Sequence, residues 1–155
     1  MNRYTFIKTD NDRMTILIRF LVGLIFLSEG IQKFVYAEYL GAGRFANIGI
    51  PYPEAMGYAI GSIEIICGIM VLAGIYTRLA VIPLIFIMLV AILTTKIPVL
   101  LGREFMGFSL RPLPNYGLLS MLHESRNDLS MLVGSIYLLI KGGGRWSVDR
   151  KRYHR

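Results

Sequence analysis

Long apolar runs, each carrying only one to four charged or amide side chains, set the plan of the chain. The first extends from Met14 to Phe34 and is interrupted by Arg19, Glu29, Gln32 and Lys33. The second, Ala55 to Tyr76, holds Glu64 as its single charge, and the third starts at Leu79 and meets no charge until Lys96 before stopping near Pro98 to Gly102. About 20 mostly apolar residues cross a bilayer as a helix, so each of these runs is long enough to span. A fourth run is shorter: Leu129 to Ile140 is twelve residues without charge, about 18 Å of helix at about 1.5 Å per residue. Its helix must therefore begin earlier, which puts His123, Glu124, Asn127 and Asp128 at or inside one membrane boundary. The pattern predicts an all-α, polytopic membrane protein: a four-transmembrane-helix antiparallel bundle with spans at about 14–34, 55–76, 79–101 and 118–141. Residues 1–13 form a cytoplasmic segment, 14–141 the transmembrane domain and 142–155 a basic cytoplasmic tail on the membrane surface.

The connections differ in kind. A tight turn at Thr77-Arg78 makes the second and third helices antiparallel neighbours. Residues 35–54 contain Gly41, Gly43 and Gly49 and end in Ile50-Pro51-Tyr52-Pro53-Glu54, where proline suits the first turn of a helix. Ala42 to Ile48 reads as a short interfacial helix. Residues 102–117, with Pro112 and Pro114, read as irregular. Lys and Arg set the orientation: ten basic residues fall on the side of the termini and six on the other, which places both termini inside. Tyr36, Tyr39, Tyr52, Tyr58 and Tyr116 then belt the outer interface, with Tyr76 and Trp146 at the inner one.

Composition agrees with the membrane reading. Of 155 residues 54% are hydrophobic and 17% charged, and the mean hydropathy is +0.53. The net charge of +7 does not point to nucleic acid, because the basic residues sit at the ends of apolar runs instead of forming a soluble patch. One cysteine, Cys67, excludes a dithiol centre and an internal disulfide. The first apolar run is helix length, so it reads as a retained span, not a cleaved signal. Localisation in a membrane follows.

Charges inside a span are costly and face the bundle interior or a wet cavity. Gly57, Gly61, Glu64 and Gly68 form one stripe on the second helix, so Glu64 points inward among small residues that admit a close neighbour. Arg19, Gly23, Phe26, Gly30 and Lys33 repeat that spacing on the first helix, and Glu29 pairs with Lys33 at i,i+4. Given the helix directions, Glu29, Lys33, Glu64, Lys96, His123, Glu124 and Asp128 all converge on the outer half of the bundle. A lone carboxylate such as Glu64 in an apolar helix needs a partner or a proton. Glu64, Glu29 and His123 are the candidates for proton handling, and Lys33, Lys96, Asp128 and Arg19 for holding a carbonyl or anionic oxygen. The plainer readings stand beside these: a local Glu29–Lys33 pair, Arg19 snorkelling to phosphates, Lys96 and Arg126 anchoring at the interface, and Cys67 and the methionines as filler. No ligand spacing matches a metal motif. His123 and His154 fall on opposite sides, so one chain cannot supply two histidines to one haem, and no intrinsic cofactor is expected beyond a quinone.

These segments resemble the DoxX family of small bacterial membrane proteins. The likeness runs through RFLVGLIFLSEGIQKF, GRFANIGIPYPE, GSIEIICGIMVLAGIYTRLA, the fourth-helix segment and GGGRWSVD, about Met14 to Asp149. The resemblance implies a four-helix bundle in a bacterial plasma (inner) membrane and a role beside redox enzymes. The family includes a subunit of a thiosulfate:quinone oxidoreductase and members linked to oxidative stress, but no residue here specifies thiosulfate. The leading expectation is a membrane subunit of a redox system that binds an isoprenoid quinone or similar apolar molecule between the helices, with a partner redox enzyme subunit supplying the electrons. The rivals are a non-catalytic scaffold that docks cytoplasmic enzymes on Lys141 to Arg155, and an ion or small-solute transporter formed as a homo-oligomer across the glycine stripes.

Overall fold

The computed structural model describes residues 9–153. The readings that rest on Arg3, Lys8, His154 and Arg155 lie outside the described residues. Among the described residues the chain is all-helical, without strands beyond an isolated Phe105–Phe108 bridge. In order come α1 (Thr15–Val35), α2 (Ala37–Leu40), α3 (Ala42–Ile48), α4 (Pro53–Ala73), α5 (Thr77–Ala91), a π-helical turn (Ile92–Lys96), α6 (Ile97–Leu101), α7 (Leu118–Lys141) and α8 (Val148–Tyr153). Three helices are long and apolar enough to cross a membrane: α1, α4 and the continuous Thr77–Leu101. α7 is 24 residues long.

The long helices form a ring in which α1 packs most extensively on α4, and α5 on α7, with narrower contacts between α1 and α7 and between α4 and α5. Val22, Phe26, Val71, Val81, Leu84, Met131 and Leu138 fill the centre, all essentially inaccessible. The glycine stripes explain the α1–α4 pair. A Cβ on Gly30 would lie 2.8 Å from the Gly61 carbonyl oxygen, and one on Gly68 2.9 Å from the Leu27 nitrogen. Antiparallel backbones therefore touch where a side chain would separate them. In lipid, where apolar side chains gain little by meeting one another, this close packing is the main source of helix association. The stripes are thus consumed inside the chain and are not free for contacts between copies.

Two local expectations are corrected. Thr77 and Arg78 are not a turn but the first residues of α5; the reversal is Gly74-Ile75-Tyr76. Gly74, at φ 68°, closes α4 with its N–H on the Val71 carbonyl while the Ile75 N–H reaches back to Met70, a glycine C-cap. The chain after Gly142 is also more than a surface tail. Gly142, Gly143, Gly144, Ser147 and Asp149 are buried against the end of the bundle. Asp149 accepts hydrogen bonds from the Tyr76 N–H (2.7 Å), the Thr77 N–H (2.9 Å) and the Thr77 hydroxyl (2.9 Å). A carboxylate there satisfies orphan donors and opposes the helix dipole, and it holds Tyr76 in the left-handed region (φ 45°).

Candidate functional site

The loop-bearing end of the bundle carries an open cavity of about 620 Å³. α1 contributes Phe26, Glu29 and Lys33, α4 contributes Ile60, Ile63 and Glu64, α5 and the π turn contribute Phe86, Ala91 and Lys96, and α7 contributes Asp128 and Met131. Most of the wall is apolar, and the ionisable groups are gathered in three sets.

The deepest set is Glu29, Lys33 and Glu64. The Lys33 ammonium lies 2.6 Å from Glu64 Oε2 and 3.8 Å from Glu29. The Glu64 side chain is 2% exposed and that of Glu29 39%. One cation thus bridges two carboxylates of different depth. The 2.6 Å contact with the Lys33 ammonium gives the buried Glu64 Oε2 its partner. The second set is Lys96 with Asp128 at 3.1 Å. Lys96 is not the interfacial anchor expected of a lysine near a helix end: it is buried, and its partner explains how a lysine can be held there. The third set is at the rim, where Arg111 meets Glu124 at 3.2 Å and Arg44 reaches from α3.

The π turn helps to place Lys96. Pro98 has no N–H to give the Thr94 carbonyl, and the Ile97 N–H instead reaches back five residues to Ile92. The Thr94 and Thr95 hydroxyls bond to the carbonyls of Val90 (2.9 Å) and Ala91 (2.6 Å). The wider turn rotates Lys96 and α6 away from the positions an unbroken α-helix would give them, and such turns recur at functional sites.

Two candidates are not brought to this cavity. His123 is exposed, with Nε2 2.7 Å from the Arg126 guanidinium, because the helix face it occupies turns away from α5. Arg19 neither snorkels nor reaches the site. It is 2% exposed at the opposite end, where its guanidinium donates to the carbonyls of Val71 (2.9 Å), Gly143 (3.1 Å), Trp146 (2.7 Å) and Leu72. A charge that arginine cannot shed is thereby neutralised by backbone dipoles, and the C-terminal segment is fastened to α1 and α4. Among the described residues, no three His, Cys, Asp or Glu side chains are grouped to hold a metal ion. Arg44 and Arg111 escape a reading from periodicity because each lies in an interhelical connection whose fold the period does not give.

Comparison with known proteins bears directly on this arrangement. Residues 14–97, which include α1, α3, α4, α5 and the π turn, match the family model described as DoxX. The chain belongs to the DoxX family. An uncharacterized membrane protein of Mycobacterium tuberculosis is 49% identical over 136 residues, covering 88% of this chain and 79% of that protein. A Bacillus subtilis relative named "Putative oxidoreductase CatD" is 35% identical over 136 residues, covering 87% of this chain and 84% of its own length. No solved structure matches significantly. The DoxX match ends at Ile97, so Glu29, Lys33, Glu64 and Lys96 fall inside it, and Asp128 and Arg111 beyond it. The protein is accordingly a multi-pass membrane protein of the DoxX family.

Proposed function

We propose that this protein is a membrane subunit of a redox system and holds an isoprenoid quinone, or a similar apolar molecule, in the 620 Å³ cavity. The observation that carries the reading is the joining of an apolar chamber to a buried Lys33–Glu64 pair, since ligand sites are mostly apolar with a few fixed polar groups. The chamber wall includes Met56, Ile63 and Phe86, which are 40%, 37% and 67% exposed. These accessible apolar side chains are what a molecule dissolved in the bilayer would meet at the chamber. Glu64 and Glu29 exchange protons with the occupant, Lys33 holds a carbonyl oxygen, and Lys96 with Asp128 closes the far wall. No group in the described residues carries electrons, so a partner redox enzyme supplies them. The relative named as an oxidoreductase supports this class of activity.

The same reading makes α7 the fourth span, puts both termini on the cytoplasmic face of a bacterial inner membrane, and turns the cavity end outward. At 24 residues, α7 is about 36 Å long, and the ten-to-six distribution of basic residues supports the orientation. The test is binding of tritiated decylubiquinone to the protein in lipid nanodiscs, corrected for empty discs. Saturable binding that is lost in the cavity-filling variant Ala91→Phe, with the bundle still folded, is the expected result. Binding indistinguishable from empty discs refutes it.

A scaffold role has one supporting observation: α8 is fixed to the bundle through Asp149 and presents Lys151 and Arg152 on its exposed side. If that role holds, deleting residues 150–155 releases a bound enzyme and leaves decylubiquinone binding unchanged.

A further inference from the structure

A second chamber of about 490 Å³ adjoins the first on its outer side. The two share Arg44, Lys96, Arg111 and Glu124 in their walls, so the rim between them holds three cations and one carboxylate. The existing pairs account for most of that charge. Lys96 is engaged by Asp128 at 3.1 Å and Arg111 by Glu124 at 3.2 Å. Deeper in, Lys33 is engaged by Glu64 and Glu29. Arg44 makes no ion pair and no side-chain hydrogen bond among the described residues. Its backbone is nonetheless fixed: the next residue, Phe45, is buried, and α3 is packed on α4, where a Cβ on Gly57 would lie 3.0 Å from the Ala42 nitrogen. A guanidinium at the junction of an apolar chamber and a less apolar one suits a head group that is negative and a body that is not.

We infer that the occupant of the two chambers is an anionic amphiphile, with an apolar body in the inner chamber and an ionised oxygen (carboxylate, phenolate or phosphate) bound by Arg44 at the rim. This inference rests on the proposed apolar site and adds the charge of its ligand. The arrangement assigns the work of each part. The wall of Phe26, Ile63, Phe86 and Met131 takes the body, and Arg44 selects the acid over a neutral molecule of the same shape. Asn47 and Ser109, which line only the outer chamber, are available to hydrogen-bond the remaining head-group oxygens. The same chemistry is offered by a free apolar acid and by the phosphate of an anionic lipid.

The experiment displaces tritiated decylubiquinone from the full protein in phosphatidylcholine nanodiscs with sodium decanoate, decanol or sodium acetate. Decanoate should compete about tenfold better than decanol, and acetate should not compete at the same concentrations. Arg44→Gln should bring decanoate to the level of decanol while leaving decanol unchanged, and Arg44→Lys should keep the preference. Arg44 is exposed, so both variants should fold, and direct binding of decylubiquinone verifies that they do. Discs containing phosphatidylglycerol separate the two sources. If that lipid abolishes competition by decanoate in the wild type but not in Arg44→Gln, the head group at the rim is the lipid's. Decanol matching decanoate in the wild type overturns the inference and leaves the apolar site standing, as does acetate competing as well as decanoate. Absence of decylubiquinone binding in the first place overturns the apolar site instead.

Discussion

Replacing Lys33 by methionine removes the one cation shared by Glu64 and Glu29. The two contacts are unequal. At 2.6 Å against 3.8 Å, the Coulomb attraction to Glu64 is about one and a half times that to Glu29 at equal dielectric. Glu64 is also shielded from water, and Glu29 is not. Loss of one partner of a buried pair leaves an uncompensated charge and costs about 3–5 kcal/mol, so Lys33→Met should lose about that much stability. Glu64→Gln should cost less, about 1–3 kcal/mol, because Lys33 still has Glu29 beside it. Glu29→Gln should cost under about 1 kcal/mol, as exposed pairs do. The double variant Lys33→Met/Glu64→Gln removes both charges and should recover part of the Lys33→Met loss. Equilibrium unfolding of the four variants in mixed detergent measures these differences as a double-mutant cycle. A Lys33→Met cost under about 1 kcal/mol, or equal costs for Glu64→Gln and Glu29→Gln, refutes the view that Lys33–Glu64 is the buried partner pair.

Other parts of the fold have their own expected outcomes. Arg19→Leu removes a guanidinium bonded to four carbonyls and should cost at least about 3 kcal/mol, with faster hydrogen exchange concentrated in residues 142–149. Asp149→Ala should expose the amides of Tyr76 and Thr77 to exchange while the amides of α1 stay protected; equal loss in both places would contradict its local capping role. Gly61→Val forces apart the α1 and α4 backbones and should cost about 1–3 kcal/mol, read by thermal unfolding in nanodiscs. The Asp10 carboxyl, hydrogen-bonded to Lys141, and the Asp12 carboxyl, accepting the Met14 N–H, are both held below the ordinary value of 3.8. Carboxylates with lowered folded-state values add stability that is present above the unfolded value and lost as pH falls through the folded one. The Asp10 and Met14 amides, bonded to the Lys141 carbonyl and the Asp12 carboxylate, should therefore keep their hydrogen-exchange protection factors at pH 4.5 and lose them increasingly below about pH 3.8; amides already unprotected at pH 4.5 contradict those attachments.

Hydrophobic periodicity carries the helices well because a span must satisfy its own backbone and cover its length with apolar residues. That is why α1, α4 and Thr77–Leu101 are legible, and why Glu64, alone in an apolar run, is recognisable as an inward-facing group. The glycine spacing locates the close contact but not its partner, since a stripe that fits another helix does not say whether that helix is in the same chain. Lys33 reaching Glu64, and Lys96 reaching Asp128, depend on which helices are neighbours, and a single sequence does not encode the order of helices around a bundle. Arg19 defeats the snorkelling expectation because an arginine near a helix end ordinarily finds water or phosphate, whereas here the Gly142-Gly143-Gly144 segment folds back to bring carbonyls to it. The π turn has a local signal in Thr94-Thr95 and the nearby Pro98, which together remove a donor and supply hydroxyls. Arg44 and His123 show the limit at helix faces: both are polar groups at one boundary, and only the packing of α3 and α7 decides which of them meets the cavity.

The most direct measurement is mass spectrometry of the small molecules that co-purify with the protein in nanodiscs, run beside Ala91→Phe and Glu64→Gln. The account predicts a quinone or comparable apolar molecule enriched over bulk lipid in the wild type, absent from Ala91→Phe and depleted in Glu64→Gln. Equal content in all three samples and in empty discs would contradict the claim that the cavity around Lys33 and Glu64 is a binding site, and would make its charges purely structural.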